Sequence, residues 1–213
     1  MNKSGAPLVK ICGITRPEDA LHALDSGADF FGMVFYSKSP RAVTASLAAE
    51  IMDRLRREGY ESPPAIGVFV NEDATTVARL AEELGLWAVQ IHGDETPEYC
   101  ASLPGRVIRG FRVRDESVLR DMASWPVWAC LCDAWDPRAY GGTGKMVDLE
   151  ILAPYVSRHR IILAGGLEPG NISATLRRIT PFAVDVSSGV ESSPGIKDPV
   201  KVREFIRGVK QPG

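Results

Sequence analysis

Apolar residues along the chain fall into short β-rich runs separated by stretches of helical period. Leu8–Cys12, Asp29–Phe35, Ala65–Val70, Trp87–Ile91, Arg106–Phe111, Val127–Asp133, Arg160–Ala164 and Ala183–Val186 read as strands, because each is compact, rich in β-branched or aromatic residues, and bounded by turn formers. Helical patterns occupy the intervals and the tail: Pro17–Ser26, Ala45–Glu58, Ala74–Leu84, Pro97–Ser102, Ser117–Ala123, Asp148–Ala153, Gly170–Arg178 and Pro199–Val209. Thr15 stands as a cap candidate before Pro17, Glu18 and Asp19, which suit a first helical turn. Gly27, Gly59 and Gly85 follow helical patterns where a left-handed residue is expected to end them.

A strand followed by a helix, repeated eight times, predicts a single closed (β/α)8 TIM barrel over residues 1–213, with residues 1–7 as a short N-terminal extension. An open doubly wound sheet is the rival. It expects a glycine-rich turn after the first strand, and here that turn, Gly13-Ile14-Thr15-Arg16, holds one glycine.

Composition narrows the function classes. The chain has 213 residues, 45% of them hydrophobic and 24% charged, enough to bury a sizeable core. The net charge of −2 provides no broad basic field for nucleic acid or an anionic membrane. No apolar run approaches a membrane span, and the first residues lack the apolar segment of a secretion signal. Cys12, Cys100, Cys130 and Cys132 have neither C-x-x-C spacing nor a nearby histidine cluster, so no disulfide framework and no metal site is expected in a cytoplasmic protein.

In such a barrel the working groups stand where strands end. The first strand ends Lys10-Ile11-Cys12-Gly13, which puts Lys10 and Cys12 on one face. A buried cysteine is ordinarily a small hydrophobe, but at the rim beside a lysine its thiol is a candidate base. The sixth strand ends Cys130-Leu131-Cys132-Asp133, with Asp133 on the face of Leu131 and both cysteines on the other. Facing inward from an apolar wall, Asp133 would hold its proton more tightly and could act as an acid.

The seventh and eighth strands end in Ala164-Gly165-Gly166-Leu167 and Asp185-Val186-Ser187-Ser188-Gly189. Glycines in these two loops let backbone N–H groups approach an anion closely, and this is the usual phosphate position in the fold. Gly142, in Gly141-Gly142-Thr143-Gly144-Lys145, is expected on a flap near the phosphate. The segment is not a Walker A loop, because Ala139 and Met146 occupy positions that motif reserves for Gly and Ser/Thr. Arg41, behind Pro40 after the second strand, could pair with a carboxylate or stack on a ring. Gln90 and His92 share one inward row at the end of the fourth strand, with no chemical step assigned to them.

Taken in order, Lys10-Ile11-Cys12-Gly13, Ser39-Pro40-Arg41, Val89-Gln90-Ile91-His92-Gly93, Gly141-Gly142-Thr143-Gly144, Ala164-Gly165-Gly166-Leu167 and Val184-Asp185-Val186-Ser187-Ser188-Gly189-Val190-Glu191 resemble the phosphoribosylanthranilate isomerase family of tryptophan biosynthesis, across essentially the whole chain. The resemblance implies Cys12 as general base and Asp133 as general acid. It implies Arg41 on the anthranilate and Asp185 beside the substrate, with Gly142, Gly165, Gly166, Ser187, Ser188 and Gly189 also binding it, largely around the phosphate. It further implies an Amadori rearrangement of a phosphorylated sugar–anthranilate with no cofactor, no metal and no nucleic-acid or membrane partner, by a monomer or homodimer. Ala134 departs from the serine that often follows the acid in that family.

Other readings on the same fold fit less well. The histidine-pathway ribosyl isomerase normally has an aspartate where this chain has Cys12, and a second phosphate site, whereas the third strand here ends Phe69-Val70-Asn71-Glu72 without a glycine pair. Indole-glycerol-phosphate synthase typically needs a lysine there. A non-catalytic phosphosugar-binding barrel would have no reason to keep both Cys12 and Asp133.

Overall fold

The computed structural model describes residues 5–134 and 147–211; Gly142 lies outside these described residues. Eight parallel strands, β1 (Leu8–Cys12), β2 (Phe30–Val34), β3 (Ala65–Phe69), β4 (Ala88–Ile91), β5 (Val107–Val113), β6 (Ala129–Ala134), β7 (Ile161–Leu163) and β8 (Ala183–Val186), form a closed barrel in sequential order. Closure is made by β8 against β1, in register from Leu8 opposite Ala183 to Ile11 opposite Val186. The expected (β/α)8 fold is therefore the observed one.

The crossovers are α1 (Pro17–Asp25), α2 (Ala45–Arg57), α3 (Ala74–Leu84), α4 (Pro97–Ser102), α5 (Glu116–Met122), α6 (Leu149–Leu152) and α7 (Ile172–Arg178), with α8 (Pro199–Lys210) closing the chain. α3 shows how local sequence makes such an element. Asp73 caps it by accepting the Thr76 N–H at 2.8 Å, Val77, Leu80 and Leu84 bury one stripe, and Gly85 ends it at φ 66°.

Several expectations need correction. Thr15 does not cap α1: Arg16 takes that position without a side-chain cap, and the Thr15 hydroxyl donates instead to the Gly195 carbonyl. α6 gives way to a 3-10 turn at Ala153–Tyr155, where Pro154 has no N–H to continue the helical ladder. α7 starts at Ile172, because Gly170 is still within a turn in which Asn171 and Ile172 both donate to the Glu168 carbonyl. The chain after β8 holds elements absent from the sequence reading: a 3-10 turn, Ser188–Val190, and a hairpin of β9 (Glu191–Ser193) and β10 (Ile196–Lys197).

Period-two alternation divides the core into two layers. Val9, Ile11, Phe31, Met33, Cys130, Cys132 and Val184 face outward and pack with Ala20, Ile51, Leu55, Leu119 and Phe205 of the helices. Ile66, Ala88, Ile108, Leu131, Ile162 and Ala183 fill the interior. The base of the barrel is closed by rings from the starts of the even-numbered strands. Phe30 meets Trp87 at 4.4 Å between centroids, Trp87 meets Trp128 at 5.0 Å, and Trp128 meets Phe182 at 5.4 Å. Arg106 and Arg160 lie over Trp87 and Trp128. The buried carboxyl of Asp133 stands at the opposite end of its strand.

Phe205, fully buried on α8, is central to the outer layer. Phe205→Ala should destabilise the fold by about 3–5 kcal/mol through lost burial and a residual cavity, read as a lower denaturation midpoint with an unchanged m-value.

Candidate active site

Lys10, Cys12 and Asp185 occupy adjoining inner positions at the seam between β1 and β8. Lys10 lies in register with Asp185, and its Nζ donates to Asp185 Oδ1 at 2.8 Å. Only 1% of the Lys10 side chain is exposed, so this ion pair is removed from water. Cys12 lies in register with Gly32 on β2. A Cβ at Gly32 would stand 2.9 Å from Cys12 Sγ and 3.1 Å from Lys10 Nζ, so the missing side chain provides the space that thiol and ammonium share.

Burial pushes the Cys12 thiol above its ordinary range; Lys10 pulls the other way, Asp185 adds to the rise, and Lys197 opposes it more weakly. Lys10 is itself raised. Burial works against its charge, but the attraction of Asp185 and of Cys12 outweighs that cost. The seam thus holds a fixed cation against a thiol whose charged form burial disfavours, and offsets part of that cost.

Asp133 ends the inner face of β6, 5% exposed and in register with Arg112 of β5. Its Oδ1 accepts the N–H of Ala134 at 2.8 Å, and Arg112 in turn donates to Asp94 at 2.9 Å. Cys12 and Asp133 therefore project inward from separate strands at the same end of the barrel, as the alternation predicts. Cys130 and Cys132 sit behind the wall. Burial lifts Cys130 to about 12 and Cys132 higher still, and it raises Cys100 to about 11.

Arg41 reaches the same opening from the loop after β2. Its Nε and Nη2 donate to the two oxygens of Glu191 at 2.8 and 2.7 Å, while the Lys197 Nζ donates to Glu191 Oε1 at 2.8 Å. Burial opposes the charge of Glu191, but the hydrogen bonds from Arg41 and Lys197 overcome it and hold the carboxyl below its usual range. Burial lowers Lys197 in spite of its carboxylate partner.

Gly165 and Gly166 take successive left-handed conformations at φ 84° and 62°, which exposes consecutive peptide edges at the end of β7. Asn171 braces this turn, donating to the Gly166 carbonyl at 2.7 Å and accepting the Glu168 N–H at 3.0 Å. Gly189 lies so close to Leu167 that a Cβ would fall 2.0 Å from its carbonyl oxygen. The loops carrying Gly165, Gly166, Ser187, Ser188 and Gly189 are thus packed against one another. The Ser187 hydroxyl is buried without a partner, while Ser188 is exposed.

The Gln90 Nε2 donates to His92 Nδ1 at 3.1 Å, which leaves the neutral imidazole protonated at Nε2. Burial, then the charges of Arg109, Lys10 and Arg112, lowers His92 to about 3. Arg109 stands outside this row and holds the strand end, donating to the carbonyls of Ile91 and Gly93.

Sequence reading assigned no role to Gly32, Glu191 or Lys197. Period-two alternation could have flagged Gly32, since it shares an inner face with Phe30. No spacing rule brings Lys197, beyond a hairpin, back to β1. Among the described residues, no group of three His, Cys, Asp or Glu side chains is placed to hold a metal, and no helix is long and apolar enough to cross a membrane.

A closed barrel with thiol, carboxyl, ammonium and guanidinium groups gathered at the carboxyl ends of its strands defines a (β/α)8 enzyme architecture. Known proteins narrow that class. Residues 9–208 match the family model for N-(5'phosphoribosyl)anthranilate (PRA) isomerase. An N-(5'-phosphoribosyl)anthranilate isomerase of Pelobacter propionicus is 51% identical over 206 residues, covering 95% of each chain. The crystal structure of phosphoribosyl anthranilate isomerase from Thermotoga maritima superposes with a TM-score of 0.87 at 38% identity, over 96% of this chain and 98% of that one. Another such structure, in complex with reduced 1-(o-carboxyphenylamino)-1-deoxyribulose 5-phosphate, gives 0.83 at 37% identity with the same coverage of both chains. The chain belongs to the phosphoribosylanthranilate isomerase family.

The depressed His92 makes stability depend on pH. Between pH 6.5 and about 3 the unfolded chain binds a proton at this site that the folded chain refuses, so stability falls as pH drops through that window. His92→Asn should flatten this loss by up to about 1.4 kcal/mol per pH unit, measured by urea denaturation from pH 7 to pH 4.

Proposed function

We propose that the protein is a phosphoribosylanthranilate isomerase of L-tryptophan biosynthesis, working in the cytoplasm by general acid–base catalysis. It converts N-(5-phosphoribosyl)anthranilate to 1-(2-carboxyphenylamino)-1-deoxyribulose 5-phosphate. The observation that carries the assignment of roles is the projection of Cys12 and Asp133 into one opening, within a chain of this family. A cytoplasmic setting agrees with four unpaired buried thiols.

The aminoaldose must first open its furanose ring. Asp133 gives a proton to the ring oxygen as the C1–O bond breaks and the anthranilate nitrogen forms a Schiff base with C1. The C2 hydrogen is then acidic, because its electrons can be taken up by the iminium. Cys12, as thiolate, removes that proton to give an enolamine; tautomerisation then adds a proton at C1 from the Cys12 thiol and returns the enol proton to the Asp133 carboxylate, leaving the carbonyl at C2 and both groups as they began. Hydrogen moves within the molecule, and no external oxidant or reductant is consumed.

Lys10 serves this step as a counter-charge. It favours the thiolate that burial disfavours, while Asp185 keeps the ammonium in place beside the substrate. Arg41 takes the anthranilate end, with Gly142, outside the described residues, as a further substrate contact. The phosphate docks on amides around Gly165, Gly166, Ser187, Ser188 and Gly189, which fixes the pentose between acid and base.

Cys12→Ala and Asp133→Ala should each lower kcat by about 10²–10⁴-fold while the protein remains folded and still binds the phosphorylated product. Loss of phosphoribosylanthranilate fluorescence measures turnover. Near-normal turnover in both variants would refute the roles, and reaction of the histidine-pathway substrate alone would favour the related ribosyl isomerase.

A further inference from the structure

We propose that Glu191 is a positioning residue for substrate recognition: with Lys197 it locks Arg41 side-on, so that the guanidinium presents its free end to the aryl carboxylate. This deepens the reading above and rests on Arg41 receiving the anthranilate end.

A guanidinium can form a two-pronged contact with a carboxylate along its Nε–Nη2 side or across its Nη1–Nη2 end. Glu191 occupies the side, taking Nε and Nη2 at 2.8 and 2.7 Å, and no contact of its carboxylate uses Nη1. The end-on fork remains available to a second carboxylate. Glu191 cannot swing away to release Arg41, because Lys197 Nζ grips Oε1 at 2.8 Å and the Gly195 N–H donates to the same atom at 3.3 Å. Lys197 is tied in turn to the Ser187 carbonyl at 3.2 Å, and its own N–H donates to the buried Asp19 at 3.0 Å. Lys201 Nζ holds the Glu191 carbonyl at 2.9 Å. The hairpin therefore joins α1, the loop after β8 and Arg41 into one frame.

Burial gives this frame its orienting force. The Glu191 and Lys197 side chains are 5% and 1% exposed, and that of Arg41 is 15% exposed. The Arg41 Cδ also stands 2.5 Å from where a Gly13 Cβ would lie, so Gly13 admits the arginine stem against β1. Two cations share one internal anion, leaving a net positive charge at the opening for a carboxylate to neutralise. The ligand chemistry that fits is a carboxylate, which in the substrate proposed above is the aryl one.

Two ligands separate orientation from general damage. One is ribulose 5-phosphate, which has the sugar phosphate but no aryl carboxylate; the other is reduced 1-(o-carboxyphenylamino)-1-deoxyribulose 5-phosphate, which has both. Their dissociation constants are measured on folded full-length wild type, Arg41→Met, Glu191→Gln, Glu191→Asp and the Arg41→Met/Glu191→Gln double variant. Glu191→Gln should weaken the aryl ligand about tenfold, with ribulose 5-phosphate within about twofold, and raise KM far more than it lowers kcat. Glu191→Asp keeps the charge and should recover part of the loss; it also carries the test if Glu191→Gln does not fold. In the Arg41→Met background Glu191→Gln should have no further effect, because it acts through the arginine. Equal weakening of both ligands, or tighter binding of the aryl ligand by Glu191→Gln, would overturn the lock. If Arg41→Met itself fails to discriminate between the ligands, the assignment of Arg41 fails instead.

Discussion

The buried ion pair between Lys10 and Asp185 joins the two strands that close the barrel and sets the electrostatics of the site they border. Neither side chain could occupy the inner wall alone, since removing one partner of such a pair costs about 3–5 kcal/mol through the charge left behind. Replacing both by packed hydrophobes would satisfy the fold equally well. The pair is therefore better understood through Cys12, which shares the space opened by Gly32 and would lose the cation that most strongly offsets its burial if the seam were apolar. The ammonium group that pairs across the closing strands also opposes the burial of that thiol.

Cys12 and Asp133, the proposed base and acid, are carried on strands, whereas Arg41 and the glycine turns proposed for recognition stand on loops, and the structure compensates for that difference. Cys12 and Asp133 inherit their placement from backbone register. Arg41 has no such support and is fixed through ion pairs to a hairpin far away in the chain. The glycine turns after β7 and β8 are steadied in a third way, by the Asn171 brace and by close backbone packing at Gly189. Each device limits motion at a different part of the opening.

The fold was legible because its signals are local and repeated: apolar runs, helical stripes, and glycines at φ 100° and 99° where Gly27 and Gly59 end helices. Parity placed Lys10 with Cys12 on one face, and Asp133 with Leu131 on the face opposite Cys130 and Cys132; closure of the barrel decides which of those faces is the inner one. Parity does not report partners. Thr15 had the chemistry of a cap, but a carbonyl from a hairpin distant in sequence competed successfully for its hydroxyl. Lys197 resembled any surface lysine, and its burial comes from a chain reversal with no periodic signature. Glu191 belonged to a quoted motif, yet its grip on Arg41 spans a sequence separation of 150 residues that no spacing argument covers.

The rings of Phe30, Trp87, Trp128 and Phe182 pack in a chain across the amino ends of their strands, away from the end where Cys12 and Asp133 stand. With Cys12 as the proposed base, a hydrogen lifted from the sugar is held on the side away from these rings, and its exchange with water competes with delivery back to the same molecule. An isotope placed on the migrating hydrogen would record the balance between that exchange and that delivery during one turnover.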